Sequence, residues 1–146
     1  MSNSASTYGT TYTIIVKGTN TVTPTSKIDG LTVGNASFTS TPTLKIIGDG
    51  ENPNLTLNGQ LNAGLYMRSG GYLDVENISL PCNGKLNTAA YGISGYSSDN
   101  EFVLRLRTNV KLTLDGKTSQ WKYLYNIALQ NTTVSVIEPA GATLNK

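Results

Sequence analysis

The stretch Gly64-Leu65-Tyr66-Met67-Arg68-Ser69-Gly70-Gly71-Tyr72-Leu73-Asp74-Val75-Glu76-Asn77-Ile78-Ser79-Leu80 holds two short strand patterns split by Ser-Gly-Gly. Alternation with period two puts Leu73 and Val75 on one face and Asp74 and Glu76 on the other. The second strand ends on Asn77 and is followed at once by more apolar alternation. A chain reads this way when it turns a corner inside a parallel β-helix.

Working outward, the same unit recurs: an apolar-X-apolar strand, then a turn of Gly, Asn or Asp. Leu44–Ile47 runs into Gly48-Asp49-Gly50, Leu55–Leu57 into Asn58-Gly59, and Val110–Leu114 into Asp115-Gly116. Short strands punctuated by such residues argue for β-structure over helix. Upstream, Tyr12–Lys17 is a strand closed by Gly18. Ile28–Val33 and Ala36–Thr39 are weaker strands around the turn residues Asp29-Gly30 and Gly34-Asn35. Phe102, Leu104 and Leu106 share one face, and Val110, Leu112 and Leu114 another, leaving Arg105, Arg107, Lys111 and Thr113 on a basic, wet side. The pattern breaks between Pro81 and Asn100, where Cys82–Lys85 and Ser94–Asn100 read as loops. Ser119–Leu129 is compatible with one short helix or with strands. Two or three strands per turn would make a rung of roughly 20 to 30 residues, so about four or five rungs fit. The same spacing also suits a β-sandwich or barrel, and spacing alone leaves that alternative open.

Composition agrees with an all-β domain. The 146 residues suit one folding unit, read as a flexible or docking N-terminal arm at 1–11 and a single β-rich domain at 12–146. Hydrophobic content of 38% and charged content of 14% are low, the balance being Thr, Ser, Asn and Gly. Thr fits a pleated surface, and Ser and Asn compete with the helix backbone for hydrogen bonds. A net charge of +2 with scattered cations is too weak for nucleic acid. There is no histidine, which removes the commonest general base and metal ligand. The one cysteine, Cys82, excludes an internal disulfide and reads as a small buried residue. No apolar run approaches membrane-spanning length. The first seven residues have neither the basic head nor the apolar stretch of a secretory leader, so either synthesis in the cytoplasm or a lost leader is expected.

Leu44–Gly50 together with Asn52–Gly59 resembles the opening rungs of pectin-lyase-like right-handed β-helices, as does Gly64–Leu80 through Val75-Glu76-Asn77-Ile78. The resemblance implies a short right-handed parallel β-helix, or β-solenoid. In that family an Asn often sits at the tight bend and stacks with Asn of neighbouring rungs. Asn77 matches that position, and Asn126 or Asn131 would match it later. Tyr12–Asn20 looks like the first strand of β-helix modules in phage tail fibres and other virion appendages, which are commonly trimeric. The resemblance covers 12–80 and little beyond, and it speaks to fold more than to function.

Candidate chemistry follows from residue types. Glycoside hydrolysis needs two carboxylates, and Asp74/Glu76 and Asp99/Glu101 are the available pairs, the first better read as a solvated face. The resemblance to β-helical polysaccharide lyases would imply an arginine or lysine base with carboxylate-bound calcium; Arg105 and Arg107 are available, without the acidic cluster. Asp49-Gly50-Glu51-Asn52 offers oxygens without the spacing of a calcium loop. No catalytic, cofactor or metal residue is therefore assigned. Trp121, Tyr123, Tyr125, Tyr91 and Tyr96 are the candidates for an interface or glycan contact, since Tyr and Trp combine apolar area with a polar tip. Asn77, Gly48, Gly50 and Gly59 are the structural turn and ladder positions. The expected function is a non-enzymatic virion structural protein: a capsid decoration, head-fibre or tail-fibre component. It would be a homotrimer docked to a capsid or tail protein through its N-terminal arm, with a host surface glycan as a further partner. A carbohydrate-active enzyme or glycan-binding module, and a bacterial surface adhesin fragment, are the alternatives.

Overall fold

The computed structural model describes residues 11–34, 43–96, 102–123 and 127–137, with 134–137 as backbone only. Ten strands lie within these bounds: β1 Thr11–Val22, β2 Leu31–Val33, β3 Thr43–Asn58, β4 Ala63–Met67, β5 Tyr72–Glu76, β6 Ser79–Gly84, β7 Tyr91–Gly95, β8 Val103–Gly116, β9 Ser119–Lys122 and β10 Ile127–Ile137. The described residues contain no helix. Every pairing is parallel. One sheet runs β1-β3-β5-β8-β10, with β6 joined to β3 and β8, and the other runs β2-β4-β7-β9. The chain is a short right-handed parallel β-helix of roughly three turns.

Stacking explains the sequence pattern. Leu44, Leu73 and Leu104 lie in register, as do Ile46, Val75 and Leu106, and Leu57, Cys82 and Leu114. Leu65 and Ile93 supply the core from the second sheet. Apart from Leu44, which is partly buried, these residues are essentially inaccessible. Full burial of an aliphatic side chain contributes about 1.5–3 kcal/mol, so three stacked columns can hold a chain of modest hydrophobic content. Leu104/Leu106 and Leu112/Leu114, expected on two separate faces, all point into one core. The corner at Thr108-Asn109, both at positive φ, bends β8 so that both halves bury their aliphatic residues.

The same corner repeats at every level. It is made by Gly18, by Gly50 and Asn52, by Asn77, by Thr108 and Asn109, and by Asn131, all in the left-handed region that Asn tolerates better than other side chains. Asn77 holds its neighbours on both sides: its backbone N–H donates to Thr108 O at 2.8 Å and its Nδ2 to Gly48 O at 3.0 Å. Asn77 therefore caps a carbonyl and does not bond another corner asparagine. The amide ladder lies at the opposite corner, where Asn83 Nδ2 donates to Asn58 Oδ1 at 2.8 Å and Asn58 Nδ2 to Thr23 Oγ1 at 2.7 Å.

Several expectations are corrected. Cys82–Gly84 is not a loop but part of β6, because Leu80 and Cys82 continue the inward alternation and Pro81, lacking an N–H, sits on the outward side. Ser94 and Gly95 belong to β7, where small residues fit close backbone packing. Of the two readings left open for Ser119–Leu129, strand holds at Ser119–Lys122, which pairs with β7. Only Leu31–Val33 of the Ile28–Val33 segment forms a strand. Thr11, placed in the arm by its composition, already pairs with Thr43. Ala36–Thr39, Asp99, Glu101, Tyr125 and Asn126 lie outside the described residues.

Candidate functional site

The polar groups expected to do chemistry on the first sheet are held by one another. Asp74 is not a solvated residue: it is 5% exposed. Arg107, two residues after the Arg105 that stands in register with Asp74, reaches back to it. Its Nε donates to Asp74 Oδ1 at 2.8 Å and its Nη2 to Oδ2 at 3.0 Å, with Glu76 Oε2 3.3 Å from the same Nη2. This fork geometry fits a carboxylate two-handed. The hydrogen bond and charge of Asp74 raise the Arg107 pKa above its ordinary value. Both oxygens of Asp74 are thus occupied, and the surface expected to be basic carries a neutralised arginine. Arg105 instead lies 5.5 Å from the Tyr72 ring centroid.

Other candidates resolve structurally. Burial pushes the Cys82 thiol far up, so no thiolate nucleophile is available there. Asp49 pairs with Lys17 at 2.9 Å on an exposed corner. Among the described residues, no three His, Cys, Asp or Glu side chains converge. Gly48 is buried under Asn77 and Pro53, whereas Gly50 (φ 85°) is an open, left-handed corner. Gly59 is not a free turn: a Cβ there would overlap the Ala63 carbonyl. Gly84 and Gly116 meet the Tyr91 and Ser119 carbonyls in the same way, so three stacked glycines bring the end of each outer strand against the start of the next.

Three of the aromatic candidates, Tyr91, Tyr96 and Tyr123, gather around the outer face of the second sheet. Leu65 and Met67 are fully buried, which turns Tyr66 outward between them. Tyr66, Ser94 and Lys122 lie in register on successive strands, with the small Ser94 almost wholly buried between the two larger side chains. Lys122 Nζ stands 5.4 Å from the Tyr91 centroid and 4.7 Å from that of Tyr123. Arg68 lies 5.5 Å from the Tyr96 centroid. Such contacts are worth about 0.5–1 kcal/mol each at exposed sites. Burial pushes the Tyr66 phenol above its ordinary value; Arg68 pulls it down, Asp29 and Tyr96 push it up, and Lys122 opposes them. Those charges converge on Tyr66. Tyr123 adopts φ 52°, an unusual conformation for a bulky residue. Trp121 belongs to the inward column over Ile93 but is 43% exposed, since β9 is the last described strand of its sheet.

A concavity of 540 Å³ follows the Asn corner. Thr19, Asn54, Ser79 and Lys111, in register, line it with Asn77 and Asn109 beside them. It offers amides and hydroxyls, with Lys111 the only charged residue among its described lining. Comparison of the chain with family models, curated proteins and solved structures finds no match, so the functional reading rests on this geometry.

Proposed function

We propose that this β-helix is a non-enzymatic structural and attachment module of a virion, a decoration or fibre component. It assembles as a homotrimer that docks to a capsid or tail protein through its N-terminal arm. The observation that carries the reading is the division of labour between the two sheets. The close carboxylate pair of the first is bound by Arg107, while the second gathers tyrosines around two half-buried cations that have no salt-bridge partner among the described residues. A parallel stack whose corners are tied by backbone and amide bonds suits a spacer that bears load and presents a surface. Light scattering is expected to give a trimer, and immunogold labelling of virions from the source culture is expected to decorate them. A monomer that labels no particle overturns the proposal.

The carbohydrate-active alternative divides at Asp74. Turnover would require Asp74 and Glu76 to act on a substrate, which the Arg107 fork opposes; the tyrosine face favours binding alone. Asp74→Asn is therefore expected to lower the melting temperature, because it disrupts a paired, buried carboxylate, whereas Glu76→Gln leaves it nearly unchanged. Neither substitution alters a reducing-sugar assay, which stays at background for all three proteins. Polysaccharide cleavage abolished by Asp74→Asn would establish the enzymatic reading instead.

A further inference from the structure

We propose that the face centred on Tyr66, bounded by Arg68, Tyr91, Tyr96, Lys122 and Tyr123, is a binding site for an acidic sugar. The inference rests on the attachment reading above and names its ligand class. Three features of the face select this chemistry. Its large exposed side chains, Tyr96 and Tyr123, are aromatic, whereas the exposed aliphatic residues Ile14, Ile15, Val22, Ile28, Leu61, Leu86 and Leu129 lie on other strands and turns. A protein-docking core would be expected to include such aliphatic residues alongside aromatics, while tyrosine rings give flat surfaces for the C–H faces of a pyranose and hydroxyls for its oxygens. The formal charges converging on the centre are cationic at Arg68 and Lys122, against one carboxylate, Asp29. Asp29 is buried and already accepts from the Asn62 and Ala63 backbone N–H groups at 2.7 and 2.9 Å. Neither cation has a salt-bridge partner among the described residues.

The spacing also fits. Strands repeat roughly every 4.8 Å, close to the length of one pyranose unit, so Tyr66 on β4 and Lys122 on β9 lie about two units apart across Ser94. A sugar ring lying over Ser94 would meet a tyrosine at its edge and place a carboxylate or sulfate toward Lys122 or Arg68. The cluster is compact, which suits a terminal acidic sugar and one neighbour.

The test uses the full chain with sialyllactose, a hyaluronan tetrasaccharide and a sulfated chondroitin tetrasaccharide. Lactose and the carboxyl-reduced hyaluronan tetrasaccharide serve as neutral counterparts. The expected result is binding of at least one acidic saccharide with no binding of its neutral counterpart, weakened by salt. Its affinity falls at least about tenfold, near 1.4 kcal/mol, in Arg68→Gln/Lys122→Gln. Circular dichroism and the melting temperature of that variant stay unchanged, and Tyr91→Ala weakens binding several-fold. Which acidic saccharide binds separates carboxylate from sulfate recognition. Equal binding of neutral counterparts, or undiminished binding by the double variant, overturns the inference. A change of oligomeric state in the double variant also overturns it, since the face is then a subunit contact. Silence toward every saccharide with virions still labelled by immunogold overturns the ligand and leaves the attachment role standing; silence in both overturns the two together.

Discussion

Gly84→Ala is expected to lose at least about 3 kcal/mol of stability, a fall of roughly 10 °C in melting temperature for a chain of this size. The added Cβ would overlap the carbonyl group of Tyr91, and its next neighbours are also Tyr91 backbone. Backbone in a stacked strand cannot rotate aside as a side chain can. Relief therefore requires β6 and β7 to part, and both contribute fully buried core residues, Cys82 and Ile93. Gly50→Ala is the matched control. A Cβ there meets nothing within 4 Å, so its cost is only the left-handed conformation at φ 85°, about 1–2 kcal/mol. Thermal unfolding followed by circular dichroism compares the two. Equal losses, or a small effect at Gly84, would show that the corner relaxes and is not a fixed close approach.

Asp29→Ala is the second large effect, expected at about 2–4 kcal/mol. Asp29 lies just before β2 and its Oδ1 accepts from the backbone N–H groups of Asn62 and Ala63, with Asn62 Nδ2 3.3 Å from Oδ2. Removing the carboxylate leaves two backbone donors unanswered, one on the wholly buried Ala63. Asp29→Asn keeps an oxygen for both donors and is expected to cost about 1 kcal/mol, the charge-assisted part of the bonds. Chemical denaturation of the three proteins reads the difference. Near-identical midpoints for the Ala and Asn variants would place the stabilisation elsewhere.

Much of the fold was legible because stacking repeats local patterns. Leu73-X-Val75 and Leu104-X-Leu106 declare strands, and Asn77 declares a corner. The recurring unit has a third copy that its pattern hides: Leu55-Thr-Leu-Asn-Gly59, Leu80-Pro-Cys-Asn-Gly84 and Leu112-Thr-Leu-Asp-Gly116 are copies of one unit, each ending at the same corner. Pro81 and Cys82 disguise the middle copy. The connections that follow differ in length between Gly59 and Ala63, Gly84 and Tyr91, and Gly116 and Ser119, so no constant spacing reveals them.

The candidate site was less legible. Tyr91, Tyr96, Trp121 and Tyr123 are visible as aromatics in any reading, but Tyr66 and Arg68 lie far from Lys122 along the chain. Likewise Asp74 and Glu76 read as a solvated pair until Arg107, one turn later, is laid against them.

The sequence by itself determined the β-class, the short strands, the Asn and Gly corners and the absence of histidine chemistry, because each depends on residue type and on neighbours one or two positions away. Tertiary structure alone decided which residues share a column, since register across turns depends on connections of unequal length. It alone buried Asp74 under Arg107 and gathered tyrosines and cations around Tyr66. Those contacts join residues a full turn or more apart in sequence, and stacking, not spacing, brings them together.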